Sequence, residues 1–242
     1  MMKLKFGWQI LPVLLSILLW GTSLAQAIEP ELQSWHLFFT QGKLSQNWSL
    51  YFEAQPRFRW LNDRSSFSPG TTERFLLRPA IIRKLSDGVS TLALGYGWTP
   101  LLYPSFQMEN RLWQQFQTEF WPHATDSKII LRTRLEQRRI EPAKQTAHRF
   151  RQMVRWLSDI SVGPEDWGSG KLAVSDEVFF QLNTVPRGPS GGLDQNRLFL
   201  GSHFKVSESV WWEAGYLNVW VARPSREDRM IHALYTFAAW NW

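Results

Sequence analysis

The stretch WSLYFEAQPRFRW, Trp48 to Trp60, alternates apolar and polar residues at every one of thirteen positions. Trp48, Leu50, Phe52, Ala54, Pro56, Phe58 and Trp60 fall on one side of an extended chain, with Ser49, Tyr51, Glu53, Gln55, Arg57 and Arg59 on the other, because successive strand side chains point to opposite faces. A helix would scatter the same residues around its circumference. Strands of soluble domains are mostly five or six residues long, so this one is long. Its end tryptophans stand twelve steps apart, about 40 Å at roughly 3.3 Å per step. Tilted by about 45°, that becomes roughly 28 Å of height, close to the apolar band of about 25 Å between the aromatic girdles of a transmembrane barrel. The spacing predicts a strand that crosses a bilayer.

The same period recurs downstream. Phe75, Leu77, Pro79 and Ile81 oppose Arg74 and Arg78; Asp87-Gly88 turns the chain; Leu92, Leu94, Tyr96 and Trp98 then oppose Ala93, Gly95 and Gly97, which reads as a hairpin with a tight turn. Leu112, Phe116 and Phe120 oppose Glu109, Arg111 and Trp113, and after a turn at 122–127 Ile129, Leu131 and Leu135 oppose Arg132, Arg134, Glu136 and Arg138. Phe150, Val154 and Trp156 oppose Arg149, Arg151 and Arg155; Val174, Val178, Phe180 and Leu182 oppose Glu177 and Gln181, with Asp176 interrupting the apolar face; Leu198, Leu200 and Phe204 oppose Arg197 and His203; Trp212, Ala214 and Tyr216 oppose Glu213. Met230 to Trp242 is apolar on both faces and carries no periodic information.

Composition narrows the class further. Fifteen Trp and 16 Phe in 242 residues, with no Cys, exclude a disordered tail and a disulfide-stapled domain, and a mean hydropathy of −0.29 excludes a polytopic helical membrane protein. Tryptophan concentrates where an apolar body meets a wet edge; Trp48, Trp60, Trp98, Trp156 and Trp212 are the expected girdle.

Ahead of the strands, Lys3 and Lys5 precede the apolar run Leu11 to Trp20, and Ala25 and Ala27 form an A-x-A-like site. This is the order of a secretory signal peptide, so residues 1–27 are expected to be removed by cleavage after Ala27; an uncleaved anchor helix is disfavoured by the short run and by Pro12. Residues 28–47 are then a first strand or a periplasmic arm, and 48–242 an antiparallel up-and-down transmembrane β-barrel. Connections around 61–72, 99–107, 139–147, 184–195 and 221–229 are longer and rich in Pro, Gly and charge, whereas 86–89, 122–127 and 207–209 are tight, matching long outer loops and short periplasmic turns. The connection at 158–170 is long where a short one is expected. Ten strands follow from Trp48, and WHLFFT at 35–40 would make eleven. Single-chain bacterial barrels normally have an even number, so ten to twelve are expected, with the Trp35 segment outside the ring or one strand missed. A soluble sandwich or lipocalin-like cup also alternates, but it turns its apolar face to a packed centre, and long strands with recurrent girdle Trp argue against it.

ENRLWQQF at 109–116, RTRLEQRR at 132–139, RFRQMVRW at 149–156, DEVFFQLN at 176–183, NRLFLG at 196–201 and EAGYLNVW at 213–220 together resemble an uncharacterised bacterial barrel family, domain of unknown function 2490. The resemblance covers most of the chain after the signal segment. It implies an outer-membrane β-barrel in a Gram-negative-type envelope and supplies no catalytic residue. The terminal Trp242 resembles the aromatic last residue that the outer-membrane assembly machinery reads.

If the apolar faces meet outer-membrane lipid, the opposite faces line the interior. Arg57, Arg59, Arg74, Arg78, Arg111, Arg132, Arg134, Arg138, Arg149, Arg151, Arg155 and Arg197 then stand against Glu53, Glu109, Glu136, Glu177 and Glu213, a positive excess of about seven. Arginine keeps its proton, and burying unpaired guanidiniums is costly, so water or anions are expected among them. A positive, hydrated lumen favours small anionic solutes, as basic rings do in anion pores; the competing expectation is an Arg/Glu ladder that fills a narrow barrel.

No catalytic constellation is expected. The five histidines, His36, His123, His148, His203 and His232, show no motif spacing to a Ser, although Glu213 is a neighbour for His203 across a turn. Without Cys, and with no two His within five residues of each other, no metal site is expected, and no cofactor motif is present. PRGPSGG at 186–192 reads as a flexible outer loop rather than a phosphate cradle. The Arg residues sit on strand faces that would point inward, so the pI of 9.8 does not imply nucleic acid. The reading is a monomeric outer-membrane barrel that passes or holds small anions, ahead of a non-conducting structural barrel with exposed loops and, third, a lipid-modifying enzyme.

Overall fold

The computed structural model describes residues 28–62, 70–103, 105–121, 127–141, 143, 145–162, 170–223 and 227–242. The expected signal peptide lies outside the described residues. The rest is eleven strands: β1 (Ile28–Lys43), β2 (Trp48–Asn62), β3 (Thr71–Lys84), β4 (Thr91–Leu101), β5 (Gln107–Phe120), β6 (Lys128–Ile140), β7 (Thr146–Val162), β8 (Gly170–Gln181), β9 (Gly192–Lys205), β10 (Val210–Val221) and β11 (Asp228–Asn241). They form one closed barrel in chain order. Every pair of consecutive strands is antiparallel, and the ring is closed by β1 lying parallel to β11. No helix of the described residues is long and apolar enough to cross a membrane, which says nothing of a barrel.

The even-number expectation gives way to eleven because the 28–43 segment enters the ring. In an up-and-down ring an odd count makes the first and last strands run the same way, so their ladder must be parallel. That seam is long, running in register from Ile28↔Asp228 to Gln41↔Asn241. Trp242 extends it: its N–H donates to the Gln41 carbonyl (3.0 Å) and its carbonyl accepts from Lys43 N–H (3.3 Å). Its indole crosses the outer surface at Gly42, where a Cβ would stand 2.3 Å from the ring, and the indole N–H donates to Thr40 Oγ1 at 3.0 Å. The connection 158–170 shrinks to residues 163–169 because β7 and β8 run further than their alternation suggested.

The faces sort as the alternation requires. Phe52, Leu94, Leu112, Phe116, Leu200 and Tyr216 are exposed on the outer wall, whereas Arg134, Glu136, Arg151 and Glu53 are at most 3% exposed inside. Trp48 and Trp60 stand outward at opposite ends of β2, and Trp98 and Trp156 are also outward; Trp212 stacks on Phe204 with centroids 5.8 Å apart. Polar groups on the outer face pair sideways: Gln114 with Gln137, Thr133 with Gln152, and Asp176 with Asn196. On the inner face small residues make room for rings. Trp113, 2% exposed, lies over Gly95, where a Cβ would come within 2.2 Å of the indole.

At the Asp87-Gly88 turn, Gly88 takes a φ of 76°, a left-handed conformation that costs glycine little. The Asp87 carboxylate accepts from the N–H groups of Ser90 (2.8 Å) and Val89 (3.0 Å). These bonds, those from Ser90 foremost, hold its carboxyl below the usual Asp range. A depressed folded value gives stability that is present above the ordinary Asp pKa of about 3.9 and is lost as pH falls through the folded value. Protection of the Val89 and Ser90 amides, measured relative to their intrinsic exchange rates, should therefore fall selectively on acidification into that window. Asp87→Ala should show the low protection at neutral pH; unchanged protection in the variant would refute the turn's role.

Candidate functional site: a half-filled interior

The end of the barrel at which β1 begins is packed with charge. Glu31 accepts Arg59 Nε (2.6 Å) and Arg229 Nη1 (3.4 Å), while Glu73 accepts Arg59 Nη2 (3.1 Å). Glu109 bridges Arg111 and Arg138, each Nε at 2.6 Å. Glu136, 1% exposed, is the hub of the largest group: one oxygen accepts Arg149 Nη2 (2.5 Å), the other Arg151 Nη1 (2.6 Å), with Arg111 and Arg134 each at 4.0 Å. Arg151 continues to Glu177 (2.8 Å), which also takes Arg132 (3.0 Å). Described residues of the connections at this end add to the packing. Arg59 lies over the Tyr103 ring at 5.4 Å, and Val185, 2% exposed, packs with Ala143 and Ala147. The 182–191 loop, read as flexible, is tied by Val185 N–H to Pro189 O and Gly188 N–H to Val185 O, each 2.9 Å.

Toward the opposite end the network thins into a cavity of about 530 Å³. Arg78, Arg151, Arg197, Glu53 and Glu177 stand at its blind end. One side carries the charge, with Arg132, Arg155, His203, Glu119 and Lys128 interspersed with Ile130, Met153 and Leu157. Glu53 pairs with Arg78, Glu213 with Arg155, and His203 Nδ1 lies 2.7 Å from Glu213. The other side is apolar, and comes from the seam strands and β10: Leu37, Phe39, Tyr235, Phe237, Ala239 and Leu217. Phe39 and Phe237 stack at 5.9 Å, and Phe199 meets Tyr235 edge-on at 5.3 Å.

All seventeen residues expected to face inward do so, and nine of the twelve arginines form ion pairs with carboxylates: Arg59, Arg78, Arg111, Arg132, Arg134, Arg138, Arg149, Arg151 and Arg155. The other three, Arg57, Arg74 and Arg197, have no ion-pair partner among the described residues. Arg57 stacks 3.6 Å from the Trp35 ring and donates to Gln55.

Alternation missed Glu31, Glu73 and Asp194, three acids that reduce the expected charge excess. Two of them come from β-bulges, where one extra residue breaks the two-residue period. Between β2 and β3 the register passes from Arg57↔Arg74 to Phe58↔Thr72, which leaves Glu73 as the extra residue, buried beside Arg74. Between β8 and β9 it passes from Phe179↔Gln195 to Phe180↔Leu193, and the intervening Asp194 reaches Arg149 at 3.1 Å. Glu31 lies in the 28–47 segment, expected to be either a first strand or a periplasmic arm, with no inward face assigned. The apolar lining of β1 and β11 was also missed, although it had a signal: Met230 to Trp242 of β11 is apolar on both faces, and Trp35, Leu37 and Phe39 of β1 are apolar on the inner face.

Among the described residues no group of three or more metal-type ligands occurs. Comparison with curated proteins finds no match, and comparison with solved structures finds none either. The model of a protein family described as "Protein of unknown function (DUF2490)" matches residues 32–230, a span that takes in most of β1, β2 to β10 whole and the start of β11. With that span shared from seam to seam, the chain belongs to the DUF2490 family.

Proposed function

We propose that the protein is an outer-membrane barrel whose interior binds small anionic solutes, without catalysing a reaction on them. The observation that carries this reading is the cavity lined by Arg78, Arg132, Arg155 and Arg197 beneath the charge-packed half of the barrel. Membrane residence is supported by the sorting of faces: a closed ring leaves no unpaired sheet edge in lipid, and its outer wall carries exposed Leu, Phe and Trp. The cavity lies toward the end with the four-residue turns 44–47 and 206–209, and short turns mark the periplasmic side of such barrels. Trp242, which caps the seam at this same end, suits the C-terminal strand as a handle for the outer-membrane assembly machinery.

The protein should fractionate with outer membranes and migrate faster on gels when left unboiled; recovery as a soluble periplasmic protein would overturn the reading. In lipid nanodiscs, acetate or inorganic phosphate should protect Arg197 and Arg132 from phenylglyoxal, read by mass spectrometry. Lack of protection would favour the second reading, a structural barrel, which the charge-filled half supports by itself. A planar bilayer should stay silent. Discrete anion-selective steps would instead establish a through-pore.

A further inference from the structure

Resting on that reading, we infer that the solute is a single-chain amphiphile with a carboxylate head, of the fatty-acid class: the head meets Arg197 at the blind end and the chain lies along the wall built by β10, β11 and β1. Two independent features of the cavity carry this. The first is Arg197 itself. Its guanidinium sits 5.0 Å from the Trp35 ring and 4.4 Å from the Phe179 ring. It has no ion-pair partner among the described residues, its Nε has no hydrogen-bond partner, and Nη2 reaches only Gln195 Oε1 at 3.4 Å. Its neighbours around the cavity are not in this position, since Arg78, Arg151 and Arg155 each hold a carboxylate. A buried guanidinium with unused donors calls for an acceptor, and a carboxylate matches its planar fork with two oxygens.

The second feature is the opposite wall. A site for a bare inorganic anion has no use for apolar lining, yet Leu37, Phe39, Leu217, Phe237 and Ala239 line this one over several rungs. Burying a methylene against such a wall yields about 0.8 kcal/mol, so each added carbon of a ligand chain gains affinity until the cavity is full. At about 530 Å³ the space falls in the usual size range of small-molecule sites, roughly 300–1,000 Å³. The paired glycines Gly201 and Gly215 let the Phe199 ring lie against the sheet; a Cβ on either would come within 2.8 Å of that ring. The chain's path is thereby kept free of a bulging wall. At Arg197 a quaternary-ammonium head would meet an unpaired cation, and a neutral alcohol would leave that cation without a charge partner.

The test uses the full chain in nanodiscs and decanoate carrying a diazirine at the far end of its chain. Light should attach the label to inward residues of β1, β10 or β11, such as Phe39 or Phe237, and unlabelled decanoate should compete while decanol should not. Arg197→Gln should cut labelling about tenfold, the loss of one charge-assisted bond. Since it removes an unpaired buried cation, it should leave the unboiled gel mobility intact. Leu37→Gln should weaken decanoate and leave acetate protection of Arg197 unchanged, whereas the exposed Arg139→Gln should alter neither. Label on outward residues such as Leu50 or Leu94, or labelling indifferent to both Arg197→Gln and Leu37→Gln, would overturn the inference. If acetate protects Arg197 and decanoate protects no better, the amphiphile is wrong and the small-anion lumen stands; if neither protects, both fall.

Discussion

Glu136→Ala should destabilise the barrel by about 3–5 kcal/mol, the cost of breaking a buried ion group by removing its central carboxylate. Among the described residues Glu136 is the one carboxylate that joins Arg149 to Arg151, at 2.5 and 2.6 Å, and Arg111 and Arg134 flank it at 4.0 Å. Truncation leaves four guanidiniums around a space with no negative charge; Arg149, Arg151 and Arg111 keep other acids, Asp194, Glu177 and Glu109, whereas Arg134 keeps none among the described residues. The measurement is the temperature, or the denaturant concentration, at which the fast-migrating folded form is lost. Glu136→Gln should fall between wild type and Ala, because it restores an acceptor but no charge. Removing hub and spokes together, as Glu136→Leu with Arg149→Leu and Arg151→Met, should recover part of the loss, since a buried ion group replaced whole by apolar side chains is often neutral or stabilising. An Ala variant as resistant as wild type would show that water already screens the hub.

Leu200→Arg distinguishes a bilayer from water outside the barrel. Leu200 is 51% exposed on the outer face of β9, between Val174 of β8 and Tyr216 of β10. On a water-facing wall such an exchange falls within about 0.5 kcal/mol of neutral. On a lipid-facing wall a central arginine costs about 2–4 kcal/mol. Equilibrium unfolding from lipid vesicles should show the larger figure, and Ser175→Ala on the inner face should show little change beside it. A Leu200→Arg barrel as stable as wild type would mean that this face does not meet acyl chains.

The sequence made the wall readable and the interior only partly so. Between Trp48 and Val221 most strands keep one face apolar and the other polar or charged, β4 with its inward Ala93, Gly95 and Gly97 being the clearest exception, because one side chain in two must satisfy each environment; that periodicity alone identifies Arg134, Glu136 and Arg151 as inward. Three things broke it. A bulge adds a residue without adding a rung, so Glu73 and Asp194 fall inside beside inward neighbours, and no local pattern announces this. A strand apolar on both faces, as in β11, has no phase to read. The order of strands around the ring depends on long-range pairing, and 28–43 joins partners nearly two hundred residues away. The pairing of individual charges is likewise beyond the strand pattern: alternation put Arg197 in the interior, but only the assembled barrel shows that it lacks the carboxylate its neighbours have.

The parallel seam has a consequence for anyone who cuts or tags this chain. With eleven strands, Ile28 and Trp242 emerge from opposite rims, so, on the outer-membrane reading, two reporters fused there should report opposite compartments. A circular permutant cannot be closed by a short turn, as it could in an even ring. Its linker would have to travel the full height of the barrel.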